Sequence, residues 1–99
     1  MIVTILGKRW SLEFVPRREL GKQEGRYNLG FCDAPEIPNK RICIASGLSG
    51  VDRLDTIIHE VIHAGNFKLS EEFVEQFSTD LARILDKLGY RCEGRHGKE

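Results

Sequence analysis

His59-Glu60-Val61-Ile62-His63 lies in an apolar, helix-forming run and constrains both the fold and the chemistry of this chain. From Val51 to Ala64 the apolar residues Leu54, Ile57, Ile58, Val61 and Ile62 recur at helical spacing, as in a helix packed on a core. Residues four apart share one helix face, so His59 and His63 can present both imidazoles to a single metal ion. Glu60 is turned roughly 100° from His59. Its carboxylate then stands beside such an ion instead of on it, where a general base for an activated water belongs.

The rest of the chain predicts an α+β fold in one domain, residues 1–99. Residues 1–45 read as mainly β. Ile2 to Leu6 is β-rich, Gly7-Lys8-Arg9 is a turn, and Trp10 to Val15 alternates apolar with polar until Pro16 stops it. Arg17 to Gly25 reads as a hairpin loop, Tyr27 to Cys32 as a third strand, and Asp33 to Asn39 as a proline-bearing turn. Arg41 to Ala45 is a fourth strand. The active helix spans 51–64, with Ser49 or Asp52 as its cap and Gly65-Asn66 as a stop in the left-handed conformation. Ser70 caps a second helix over 70–89, with Glu71 and Glu72 in its first turn and Val74, Phe77, Leu81, Ile84, Leu85 and Leu88 on one side. Residues 91–99 form a polar tail.

A catalytic zinc takes three protein ligands and keeps one open position, so a third ligand must be found. His96 lies in the Gly-flanked tail and reads as a solvent-exposed residue. Glutamate is the better source. If the two helices form an antiparallel hairpin about a turn near Phe67, position 63 faces 71 and position 59 faces 75. At about 100° per residue, Glu71 lies nearer the apolar face of the second helix than Glu75, and Glu72 points away. Glu71 is therefore the favoured ligand and Glu75 its rival.

Charge and cysteine content narrow the classes further. Fifteen basic and fifteen acidic side chains leave no net charge and no basic stripe for a nucleic acid. The cysteines Cys32, Cys43 and Cys92 form no C-x-x-C pair and are odd in number, which fits reduced, buried thiols in a cytoplasmic protein. No apolar run reaches the roughly eighteen residues of a membrane span.

The stretch from Arg41 to about Leu88 resembles the minimal gluzincin-type zinc peptidases, including small phage-encoded proteins and the ImmA/IrrE family. The resemblance rests on the strand Arg-Ile-Cys-Ile-Ala, on the helix Leu54 to Ala64 with its H-E-x-x-H, and on Leu69-Ser70-Glu71-Glu72-Phe73-Val74. Glu71, Val74 and Phe77 match the ImmA/IrrE spacing of ligand, small apolar residue and Phe. Glu75 stands where that family has Asn. Small size and a leading sheet also resemble the SprT-type fold, whose third histidine this chain lacks. The resemblance implies a zincin-like domain: a small twisted antiparallel or mixed sheet packed on the active helix, with the second helix beneath. It also implies that strand 41–45 is an edge, open to an extended peptide.

Together these features predict zinc-dependent hydrolysis of a protein or peptide substrate. His59, His63 and Glu71 (or Glu75) would hold Zn2+, and Glu60 would act as the base. Tyr27, Tyr90 and His96 are possible oxyanion donors, and none is assigned. An inactive, zinc-stabilised binding module using strand 41–45 is the alternative. In a further alternative, His59 and His63 are simply polar core residues.

Overall fold

The computed structural model describes residues 1–23 and 26–90. Strands β1 (Ile2–Ile5) and β2 (Lys8–Val15) form an antiparallel hairpin with Val3 opposite Trp10. Leu6 and Gly7, both at positive φ (49° and 79°), make its turn. Two successive left-handed residues give a turn whose twist matches that of the flanking strands. After Pro16 comes a 3-10 turn (Arg17–Glu19) and then a small ladder of β3 (Lys22–Gln23) with β4 (Arg26–Tyr27). Strands β5 (Gly30–Cys32) and β6 (Arg41–Ala45) complete the main sheet, whose order is β1-β2-β6-β5. The pair β2/β6 is parallel and β5/β6 antiparallel.

Two expectations about the strands are corrected. The stretch Tyr27 to Cys32 is not one strand, because its two ends belong to different sheets. Strand 41–45 is not an edge: β6 is flanked on both sides, and Ile42, Cys43, Ile44 and Ala45 are all buried. Its composition accounts for this, since a strand apolar on both faces loses most by facing water. The strands at the two edges are β1 and β5.

Helix α1 (Gly50–Gly65) follows the sheet and α2 (Glu71–Lys87) follows α1. Ser49 takes the extended backbone of an N-cap, yet its hydroxyl makes no capping bond. At the other end Asn66 is extended (φ −150°) and not left-handed as expected. Its Oδ1 accepts from the Lys68 amide at 3.2 Å, so the side chain closes the turn. Ser70 caps α2 as its sequence predicts, with Oγ accepting from the Phe73 amide at 3.1 Å. Gly89 (φ 95°) ends that helix, with bonds from Gly89 N–H to Asp86 O and from Tyr90 N–H to Leu85 O. This pattern is a Schellman motif, which requires the left-handed residue that glycine supplies.

The sheet register aligns Phe14, Ile44 and Gly30 across one face, with Leu12, Ile42 and Cys32 beside them. Helix α1 lies on this face and buries Arg53, Glu60 and Ala64. The Arg53 guanidinium sits 4.0 Å from the centre of the Phe14 ring and donates to Leu48 O at 3.4 Å. A cation that is wholly enclosed here is held by an aromatic face and a carbonyl.

Helix α2 packs along α1 with Val74, Ser78 and Ala82 fully buried. The expected apolar side is only partly right, because Phe77, Ile84 and Leu88 are about half exposed or more. The contact row is instead one of small residues, which lets the two helices approach closely. Among the described residues no helix is long and apolar enough to cross a membrane. Enlarging that row should separate the helices. Ala82→Leu is expected to destabilise the fold by about 1–3 kcal/mol, read from the denaturant midpoint; an unchanged midpoint would place the helices further apart than this packing requires.

Candidate metal centre

The α1–α2 hairpin sets which residues meet. Asp55 Oδ2 accepts from Thr79 Oγ1 at 2.8 Å, and His63 Nε2 lies 3.1 Å from Glu71 Oε2. Both pairs are mirrored about Phe67, so the antiparallel register expected from the sequence holds. One turn back along α1, His59 Nε2 lies 2.6 Å from Glu71 Oε1. Glu71 thus touches both imidazoles, one with each carboxylate oxygen. The two rings stand edge to face, with centres 4.9 Å apart.

His59, His63 and Glu71 offer one ligand atom each within 4.8 Å of one another, close enough to hold a metal ion. The donor set itself tests the fit. Ligands about 2.0–2.1 Å from a tetrahedral ion sit roughly 3.4 Å from each other. The two nitrogen–oxygen distances here, 2.6 and 3.1 Å, are shorter than that, so the Glu71 carboxylate must draw back from the rings to admit an ion. Both histidine side chains are mostly buried while Glu71 is exposed, which makes the carboxylate the adjustable member. Glu75 lines the same cleft but lies outside the cluster.

Glu60 occupies a different position from these donors. It is 8% exposed, at the contact between α1 and β5. Burial raises its pKa from 4.5 to about 7; the nearby His59 opposes this shift and Glu71 adds to it. A carboxyl poised near neutrality beside a set of metal donors is suited to take up and release a proton.

Gly30 on β5 makes that position possible, and sequence reading missed it. A β-carbon there would stand 2.8 Å from Glu60 Oε2, 2.9 Å from Glu60 Cγ and 3.0 Å from Thr56 Cγ2. The lone glycine in a short strand was a signal for close approach, although the sequence alone could not say to what.

The cluster opens into a cleft of about 550 Å³ that Asn28, Gly30, Cys32, Phe67 and Leu69 help to line. Cys32 is buried and donates to Asp33 O at 3.3 Å. Burial, with Glu60 and Asp33 adding, pushes its thiol up to about 12, and its sulfur is not among the clustered donor atoms. Burial likewise raises the Cys43 thiol. Tyr90 is exposed beyond α2 and does not line the cleft. His96, Cys92 and the Tyr27 side chain lie outside the described part. Comparison of the chain with protein-family models, with curated proteins and with solved structures found no match.

Two outcomes follow from this geometry. The folded chain binds the Glu60 proton more tightly than the unfolded chain does. That contribution to stability is complete below about pH 4.5 and is lost as pH rises through 7. Metal-free Glu60→Gln should therefore be more stable than metal-free wild type at pH 8, by up to about 3 kcal/mol, with the gap closing near pH 4.5. Urea unfolding at the two pH values measures it, and a gap of equal size at both would refute the assignment. Gly30→Ala should cost about 1–3 kcal/mol in the same assay, because its methyl group displaces Glu60 or Thr56.

Proposed function

We propose that this chain is a zinc-dependent peptidase with a zincin-like arrangement. One observation carries the reading. Two imidazole nitrogens and the Glu71 carboxylate converge on one point at the mouth of an open cleft, and the buried carboxyl of Glu60 stands beside them. The donor set of two nitrogens and one oxygen favours zinc, since catalytic zinc sites commonly use His and carboxylate ligands and leave a position free.

When held by His59, His63 and Glu71, zinc supplies Lewis-acid polarisation and a water whose pKa is brought to about 7. The protein's own part is proton transfer. Glu60 takes a proton from the attacking water and returns it to the departing amine. Burial raises the proton affinity of this carboxyl in the metal-free chain, the direction that favours uptake of the proton.

Substrate orientation falls to β5. Among the described residues no strand pairs with its outer edge. Bonds from Ala45 N–H to Leu29 O and from Asp33 N–H to Arg41 O fix the alternation of this ladder. By that alternation Phe31 turns its amide and carbonyl toward β6, and Gly30 and Cys32 turn theirs outward. Both residues line the cleft, as does Phe31 between them. An extended peptide added along this edge would run past the metal donors.

Glu60→Gln should keep about one zinc per chain and lose peptide hydrolysis by roughly 10²–10⁴-fold, because it removes the base but no ligand. Glu71→Ala should lower zinc content, while Glu75→Ala should retain it. Metal analysis and cleavage of an unstructured protein measure both effects. Cleavage by Glu60→Gln at the wild-type rate would sink the peptidase reading, and zinc retained with cleavage absent in wild type would favour a binding module.

A further inference from the structure

Helix α2 has more apolar surface than α1 covers. Phe73, Phe77, Ile84 and Leu88 are 51%, 48%, 53% and 67% exposed. At about 100° per residue they fall within roughly 60° of one another on the helix, a single stripe some four turns long. Phe73 and Phe77 are already stacked within it, ring centres 5.6 Å apart and 8° from parallel. A contiguous apolar patch of this kind marks an interaction surface.

We propose that the stripe is a self-association surface on which two copies of the chain pair antiparallel through α2. The sequence of the stripe is complementary to its own reverse. With a two-fold axis between Asp80 and Leu81, Phe73 meets the other copy's Leu88 and Phe77 meets its Ile84, so each aromatic ring faces an aliphatic side chain. Charge follows the same symmetry. Along one rim of the stripe the order is Glu72, Asp80, Arg83, Lys87, acidic in the first half and basic in the second. Antiparallel pairing brings like rims together in reverse order. Glu72 then lies within about 3 Å in height of the other copy's Lys87, and the two Asp80 side chains, about 1.5 Å apart in height at the axis, each lie within about 3 Å of an Arg83, at 1.5 Å rise per residue. A parallel two-fold pair would set this rim against the opposite rim of the other copy and make neither contact. The two helix dipoles also oppose one another in this arrangement.

The surface leaves the metal centre free. Glu71 and Glu75 lie roughly 120–180° around the helix from the middle of the stripe. Closed two-fold pairing buries the same patch on both copies, which limits association to a dimer.

Sedimentation equilibrium of the full chain over a concentration series is the test. Wild type is expected to pass from monomer to dimer as concentration rises through the micromolar range. Phe77→Glu and Ile84→Glu should each weaken association on the order of 100-fold or more, since symmetry places every substitution in the interface twice. Both residues are exposed, so circular dichroism and zinc content should match wild type. Lys87→Glu should weaken the dimer, and adding Glu72→Lys in the same chain should restore it. A wild-type chain that stays monomeric to millimolar concentration overturns the proposal and leaves the stripe to a different protein or to the segment after Tyr90. A dimer indifferent to Phe77→Glu and Ile84→Glu overturns it as well, and failure of the charge exchange to restore pairing overturns the antiparallel arrangement. Loss of peptidase activity in wild type would bear only on the function proposed above.

Discussion

The register between α1 and α2 is the constraint on which the site depends. Two imidazoles one turn apart are a property of α1 alone, but a third donor must come from elsewhere in the chain. The short turn around Phe67 makes the helices antiparallel, and the small residues Val74, Ser78 and Ala82 bring them close. The bond between Thr79 and Asp55 then ties the helices together about two turns from Glu71. A slip of one residue in α2 would rotate Glu71 by about 100° and withdraw its carboxylate from both rings. Ser70 adds to the same constraint by fixing where α2 begins, since its side chain satisfies the Phe73 amide.

Glu60 shows what the sheet contributes. A buried carboxylate is unfavourable unless it is paired, hydrogen-bonded or protonated. Here the fold raises its pKa by packing it under β5, at the one place where the strand has no side chain. A bulkier residue at 30 would force the carboxylate toward water and return it toward its ordinary acidity. Strand position, glycine and proton affinity therefore form one arrangement, with the sheet tuning a group that the helix carries.

Much of the site was legible because it rests on helical periodicity. His59, Glu60 and His63 follow from spacing within one helix. Glu71 follows from adding one assumption, an antiparallel hairpin, whose mirrored pairs the structure contains at 55/79 and 63/71. Strand order was not legible in the same way. Arg41 to Ala45 was expected at an edge because of a resemblance, whereas its own residues argued otherwise. Ile42, Cys43, Ile44 and Ala45 offer both faces of the strand to apolar neighbours, which is the composition of an interior strand. The edge beside the cleft, Gly30–Cys32, is too short to announce itself, and the role of Gly30 depends on a helix that is distant in sequence.

Helix α2 illustrates a limit of a different kind. Its apolar positions define an arc of the helix surface, but periodicity alone does not say how wide a neighbour that arc will meet. One packed helix covers only part of the circumference, here the part centred on Val74, Ser78 and Ala82. These are the smallest residues on the apolar side, and they win the contact because close approach of two backbones gains more dispersion than a few bulky side chains holding them apart. Phe77, Ile84 and Leu88, the residues that hydrophobicity alone would bury first, are the ones left outside. Burying them requires a second neighbour, and only an arrangement that faces this stripe without touching the Glu71 side of the helix can supply one while the cleft stays open.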